Sequence, residues 1–248
     1  MTASIRAVLG TLALALVAAR AFAAGNELKP LGDAASDKPL APWRVVGLPQ
    51  QDPEKKPFTR FSIETLQGKR ALRIDADHSY GNLFHPVPPA STNRTLTWAW
   101  QVDKLNDAAN LAERRGDDTT IKVCAMFDEP LDVVPFVERQ FLRSARGRTN
   151  DPVPAATVCY VWDNLLPVGK VLDSPFTRRL RYIILRSGPN GVGQWQTEKR
   201  NLDEDFKRTF SDEMPDKVPP LIGIAIGADS DNTRTHTVAH AADIALVP

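Results

Sequence analysis

From residue 57 onward, apolar residues recur at every second position in short runs that glycine, proline and aspartate interrupt. That alternation is the mark of half-buried β-strands. Phe61, Ile63 and Thr65 form one such set, and Leu72, Ile74 and Ala76 a second. Gly81 to His85 is a short strand stopped by Pro86, Pro88 and Pro89. Thr95 to Val102 is the sharpest case, with Leu96, Trp98, Trp100 and Val102 on one face and Thr95, Thr97, Ala99 and Gln101 on the other. An aromatic row of this kind is expected in the core, where each ring buries a large apolar area, rather than as a sugar-stacking platform.

Further along, Asp117-Asp118 introduces a strand over Thr119 to Phe127, and Val158 to Trp162, Leu180 to Leu185 and Leu221 to Ala228 are apolar enough to be central. In Leu221 to Ala228, Ile222, Ile224 and Ile226 share one face while Gly223, Ala225 and Gly227 share the other. A sheet face so poor in side chains admits close approach to the backbone, by a ligand or by a neighbouring bulky residue from the basic insertion or the N-terminal arm. Gly188 to Gly193 turns the chain into a strand over Gln194 to Asn201, and Asp203 to Phe210 reads as one or two helical turns. The last strand, Val238 to Val247, is expected to present Val238, His240, Ala242, Ile244 and Leu246 on one face. Between Asp128 and Thr157, Val134, Val137 and Phe141 recur at helical spacing among Arg139, Arg143, Arg146 and Arg148, which predicts a short amphipathic helix and a basic loop. About ten strands without a βαβ alternation predict an all-β, two-sheet antiparallel β-sandwich with one small helical insertion.

Before these strands, Arg6, the apolar run Ala7 to Ala19 and the small-x-small site Ala21-Phe22-Ala23 predict a secretory signal over residues 1–23. The run has 13 residues, short of the roughly 20 that a spanning helix needs. No later stretch reaches transmembrane length, so the mature chain is expected in the periplasm without a transmembrane segment. Residues 24–42 read as an extended arm and 43–248 as a single sandwich, with the apolar island at Trp43 to Leu48 adding an edge strand. Lysine plus arginine (31) balance aspartate plus glutamate (30), so no whole-molecule field draws in nucleic acid or an anionic membrane. Twenty prolines speak against a helical bundle. Cys124 and Cys159 lie out of phase with the apolar sets of their strands, so a cross-strand bridge needs only a matching register. Two free, packed thiols are the alternative.

The usual catalytic signatures are absent: there is no Gly-x-Ser-x-Gly, no His-Glu-x-x-His, no Cys-x-x-Cys and no dinucleotide fingerprint. His236 and His240 fall in a strand, about 13 Å apart at 3.3 Å per residue, too far for one zinc. His240 is expected in the core. Carboxylates are many, namely Asp117, Asp118, Asp163, Glu198, Asp205, Asp229 and Asp231, and a glycosidase needs only two that flank its bond. Asp229, Asp231, Asn232 and Asp243 are oxygen donors of the kind calcium takes, although the stretch lacks the glycine and terminal glutamate of an EF-hand loop. No cofactor beyond such a structural calcium ion is expected.

Thr97-Trp98-Ala99-Trp100, Gly116-Asp117-Asp118, Pro135-Phe136-Val137-Glu138-Arg139, Tyr160-Val161-Trp162, Glu198-Lys199-Arg200-Asn201 with Asp205, and Asp229-Ser230-Asp231-Asn232-Thr233 together resemble a bacterial exported family catalogued as domain of unknown function 3047. The likeness spans roughly residues 43 to 247. It implies one jelly-roll-like sandwich similar to carbohydrate-binding modules and supplies no activity. The function first expected is therefore a non-catalytic envelope domain that binds a saccharide or other polar ligand through Asp117, Asp118, Trp162, Arg200, Asn201, Asp229, Asp231 and Asn232. Its rivals are a glycoside hydrolase or lyase using two of Asp117, Asp118, Asp205, Asp229 and Asp231, and a scaffold for a protein partner. Arg200, Asp205, Asp231 and Asn232 lie in segments that flank Leu221 to Ala228, so the 203–210 helix is also expected to bring them together, with Arg200 paired to a carboxylate in a structural role.

Overall fold

The computed structural model describes residues 26–48 and 51–248. The predicted signal segment therefore lies outside the described residues. In chain order the strands are β1 Arg44–Val46, β2 Arg60–Leu66, β3 Lys69–Asp77, β4 Tyr80–Pro86, β5 Thr95–Val102, β6 Lys122–Phe127, β7 Ala156–Asp163, β8 Val171–Ser174, β9 Thr177–Ser187, β10 Gln196–Asn201, β11 Leu221–Asp229 and β12 His236–Val247. Helix α1, Phe136–Arg146, separates β6 from β7, and α2, Leu202–Phe210, separates β10 from β11. A seven-stranded sheet runs β1-β4-β11-β6-β7-β9-β8, and a five-stranded sheet runs β10-β5-β12-β3-β2.

These are the two sheets of a sandwich. The large core between them takes Leu72, Ile74, Leu96, Trp98, Trp100, Val123, Phe127, Tyr160, Trp162, Ile224 and Ile226, so the tryptophan row is core, as its alternation predicts. All pairings are antiparallel except β7 with β9, which is parallel because the β8–β9 hairpin tucks β9 between β7 and β8. Of the segment that leads into β1, Leu28, Leu31 and Trp43 are buried in the same core. The Trp43 indole N–H donates to Lys29 O at 2.8 Å, and β1 follows as an edge strand against β4.

Three sequence expectations need correction. In β12 the core-facing residues are Ala239 and Ala241, then Ile244 and Leu246. The register slips between Ala242 and Ala245, where Asp243 adopts φ 52, and this bulge moves the second half of the strand into the opposite phase. His240 is buried and hydrogen-bonded, as expected, but on the outer face of the five-stranded sheet, bonded to Glu64 at 2.9 Å. In α1, Leu142 and Ala145 are the buried residues, while Val137 and Phe141 are exposed. Val134 is buried but sits ahead of the N-cap residue Pro135, so its apparent helical phase with Val137 is accidental. Finally, the bare face of β11 is covered from within its own sheet. A Cβ on Gly227 would overlap Asn82 Oδ1, and one on Gly223 would overlap the Phe84 ring.

Candidate functional site

Alternation places Lys122 and Cys124 of β6, Tyr80 and Asn82 of β4, and Tyr182 of β9 on the outer face of the seven-stranded sheet. Opposite registers bring Cys124 beside Cys159, and the two are joined in a disulfide. Lys122, only 3% exposed, points along the same face and pairs with Asp229 Oδ2 at 2.7 Å, with its ammonium 5.1 Å from the centre of the Tyr80 ring. The other Asp229 oxygen accepts the Thr119 backbone N–H at 2.7 Å and the Thr119 hydroxyl. Burial opposes the charged form of Lys122, yet Asp229 and Tyr80 hold its ammonium above the usual lysine range.

Asp117 completes the cluster. Its Oδ1 accepts the Tyr182 hydroxyl at 2.9 Å and its Oδ2 the Ser174 hydroxyl at 2.9 Å. Burial, and then the negative charge of Asp229, push the Asp117 carboxyl up to about 6 against the pull of these two hydrogen bonds. Burial also raises the hydroxyl of Tyr182 well above its ordinary value, with Asp117 adding to it. Two buried carboxyl groups thus stand near one ammonium, and burial together with the Asp229 charge lets Asp117 keep its proton toward neutral pH.

Beside this cluster lies a cleft of ≈ 180 Å³, lined by Tyr80, Asn82, Lys122, the disulfide, the β1 end Val46 to Leu48, and Thr149 and Asp151 of the insertion. The loops that frame the cluster are latched to one another. Asp118 accepts the backbone N–H of Asn232 at 3.2 Å and of Thr233 at 2.7 Å, the Asn232 amide at 3.2 Å and the Thr233 hydroxyl at 2.6 Å. Burial raises the Asp118 carboxyl while the Thr233 bonds oppose it. Asn232 also donates to Asp117 O at 3.1 Å, and Asp231 pairs with Lys56 at 2.5 Å.

Of the eight sequence candidates, Asp117, Asp118, Asp229, Asp231 and Asn232 come together at this end of the sheet. The other three do not join them. Trp162 is core, its indole N–H bonded to Gly188 O at 3.1 Å. Arg200 forks onto Asp205 at 2.8 and 2.5 Å, and Asp205 also accepts the Tyr160 hydroxyl at 2.8 Å, on the inner side of the sheet. Asn201 is the N-cap of α2, accepting from the N–H groups of Asp203 and Glu204. Asp243 sits in the β12 bulge with Lys69. Among the described residues no group of three His, Cys, Asp or Glu side chains could hold a metal. Sequence reasoning missed Tyr80, Thr119, Lys122, Ser174 and Tyr182. Lys122 carried a readable signal, a lysine in phase with Cys124 on the non-core side of an apolar strand.

Several solved structures resemble the chain. The endoglucanase 3 of Trichoderma harzianum, from family GH12, is 8% identical with a TM-score of 0.39, over 85% of this chain and 99% of its own. The xyloglucanase domain of NopAA, an effector from Sinorhizobium fredii solved with cellobiose, is 6% identical with a TM-score of 0.40, over 84% and 98%. SGBP-B, from a complex xyloglucan utilization locus in Bacteroides uniformis, is 12% identical with a TM-score of 0.32, over 83% of this chain and 44% of its own. Those that align nearly end to end are endoglucanases and a xyloglucanase, which stands against the expectation of a non-catalytic binding module. At these identities and TM-scores they assign this chain no substrate and no residue role. No curated protein matches it. Over residues 41–245 the chain belongs to the family described as protein of unknown function (DUF3047).

Proposed function

We propose that the protein is an exported glycoside hydrolase of the cell envelope, built on a jelly-roll-like sandwich and cleaving a polysaccharide at the Asp117–Lys122–Asp229 cluster. One observation carries the reading: two buried carboxyl groups and one ammonium stand on the outer, non-core face of a sheet, and Lys122 of this cluster lines a cleft, with Asp229 bonded directly behind it. A polar cluster with no packing role is costly to bury, and its two carboxyl groups have unlike surroundings. Among the described residues Asp117 has no cationic partner at bonding distance, while Asp229 is paired with Lys122. In this mechanism Asp117 donates its proton to the glycosidic oxygen as the C–O bond breaks. Asp229, fixed by Lys122 and Thr119, supplies negative charge to the oxocarbenium-like centre; water then bonds to that carbon and gives its proton to the Asp117 carboxylate, which restores the acid. Export is supported by the predicted signal at residues 1–23 and by the Cys124–Cys159 bridge, since disulfides persist in oxidising compartments.

The test is release of reducing ends from a panel of neutral and acidic envelope polysaccharides. Cleavage should strengthen as pH falls through about 6, where Asp117 takes up its proton, and Asp117→Asn should lose at least ~100-fold of it while remaining folded. Silence of the folded protein on every polymer overturns the proposal. So does an Asp117→Asn variant that cuts as well as the parent.

A further inference from the structure

The outer face of α1 carries Phe136, Val137 and Phe141 at 67%, 78% and 64% exposure. Exposed aromatic and aliphatic side chains side by side on one helix are unusual in a soluble protein, and here the helix is not loose. Leu142 and Ala145 fix its inner face, Leu142 packing with Val134 and Ala155, while Glu138 accepts the Arg178 N–H at 3.1 Å and pairs with Arg179 at 2.7 Å. At 100° per residue, positions 136, 137, 140, 141 and 144 share the solvent side. Arg139 and Arg143 border that side, and Arg148 follows the helix end. None of these three arginines forms an ion pair among the described residues, whereas the nearby acids Glu138 and Asp128 are taken up by Arg179 and Arg146. Asp132 is the one acid of the segment left over.

We propose that this face docks on an anionic lipid surface. Apolar side chains flanked by cations are the arrangement of a helix lying in the interface plane, where rings enter the acyl boundary and guanidinium groups meet phosphates. The near balance of charge over the whole chain conceals this local excess. The docking does not depend on the hydrolytic reading, and its test uses no substrate.

The mature chain is spun down with vesicles of phosphatidylcholine alone and of phosphatidylcholine with phosphatidylglycerol. Binding is expected to the anionic vesicles and to weaken with added salt. The variant Phe136→Ser, Val137→Ser, Phe141→Ser should bind at least ~10-fold less. The variant Arg139→Gln, Arg143→Gln, Arg148→Gln should lose the preference for phosphatidylglycerol. Phe136, Val137, Phe141, Arg143 and Arg148 are exposed and Arg139 is half-buried without an ion pair among the described residues, so both variants should melt within a few degrees of the parent. Failure to bind either vesicle overturns the proposal, as does undiminished binding by the serine variant. A dimer in solution that the serine variant abolishes, without vesicle binding, assigns the face to a second copy of the chain instead.

Discussion

Arg200 and Asp205 show how a pair of charges can look like a site in sequence and act as a rivet in the fold. The Asp205 side chain is 3% exposed and the Arg200 side chain 30%, and the fork between them ties β10 to α2. Tyr160 donates to the same carboxylate from β7, so one aspartate joins three elements. Removing the guanidinium strands a buried carboxylate, a loss of about 2 kcal/mol for a pair open on one side. Arg200→Ala should therefore lower the melting temperature by roughly 4–8 °C for a domain of this size. A parent-like melt would remove the structural assignment. That a carboxylate would meet Arg200 was legible from the short spacing to a helical turn bearing Asp205. That Asp231 and Asn232 would not be there was not legible, since their partners Lys56 and Asp118 come from distant parts of the chain.

At the scale of elements, alternation located every long strand, because a half-buried strand must place its apolar residues at period two. It failed where one residue breaks the count. The β12 bulge at Asp243 reverses inside and outside for half a strand, and no local composition announces it. Likewise α1 was legible as a helix but not in its orientation, which Glu138 fixes by reaching Arg179 on β9. The pairing of Cys124 with Cys159 depended on register alone, and the register is exact. This bridge spans β6 and β7 at a sequence separation of 35, with all of α1 and the basic loop between its ends. Closing a loop of that length restricts the unfolded chain by roughly 3–4 kcal/mol. Replacing both cysteines with alanine should lower the free energy of urea unfolding by about that amount. An unchanged midpoint would mean that the packing around Val161, Tyr182 and Ala225 holds this face without the bridge.

Over the whole molecule, buried carboxyl groups set the direction of the pH dependence. Burial and Asp229 push Asp117 from 3.8 to about 6, and burial with Glu213 pushes Glu129 from 4.5 to about 7. A group whose folded value is raised contributes stability below its unfolded value and loses it as pH rises through the folded one. Each shift corresponds to a loss on the order of 3 kcal/mol between pH 4 and pH 8. On the acid side the sign reverses. Asp75 and Asp212 are held below the usual aspartate range by arginine bonds that outweigh burial, so their contribution disappears as pH falls below about 4. His85, lowered by burial, favours higher pH and offsets part of the alkaline loss. Stability should consequently peak near pH 4 to 5 and fall toward pH 8, by roughly 10 °C in melting temperature. The double variant Asp117→Asn, Glu129→Gln should flatten that slope, because neither amide can take on the charge that burial resists. Melting curves from pH 4 to pH 8 decide it. A parent that is equally stable across the range, or a double variant with the parent's slope, would show that these two carboxyl groups are better solvated than their burial implies.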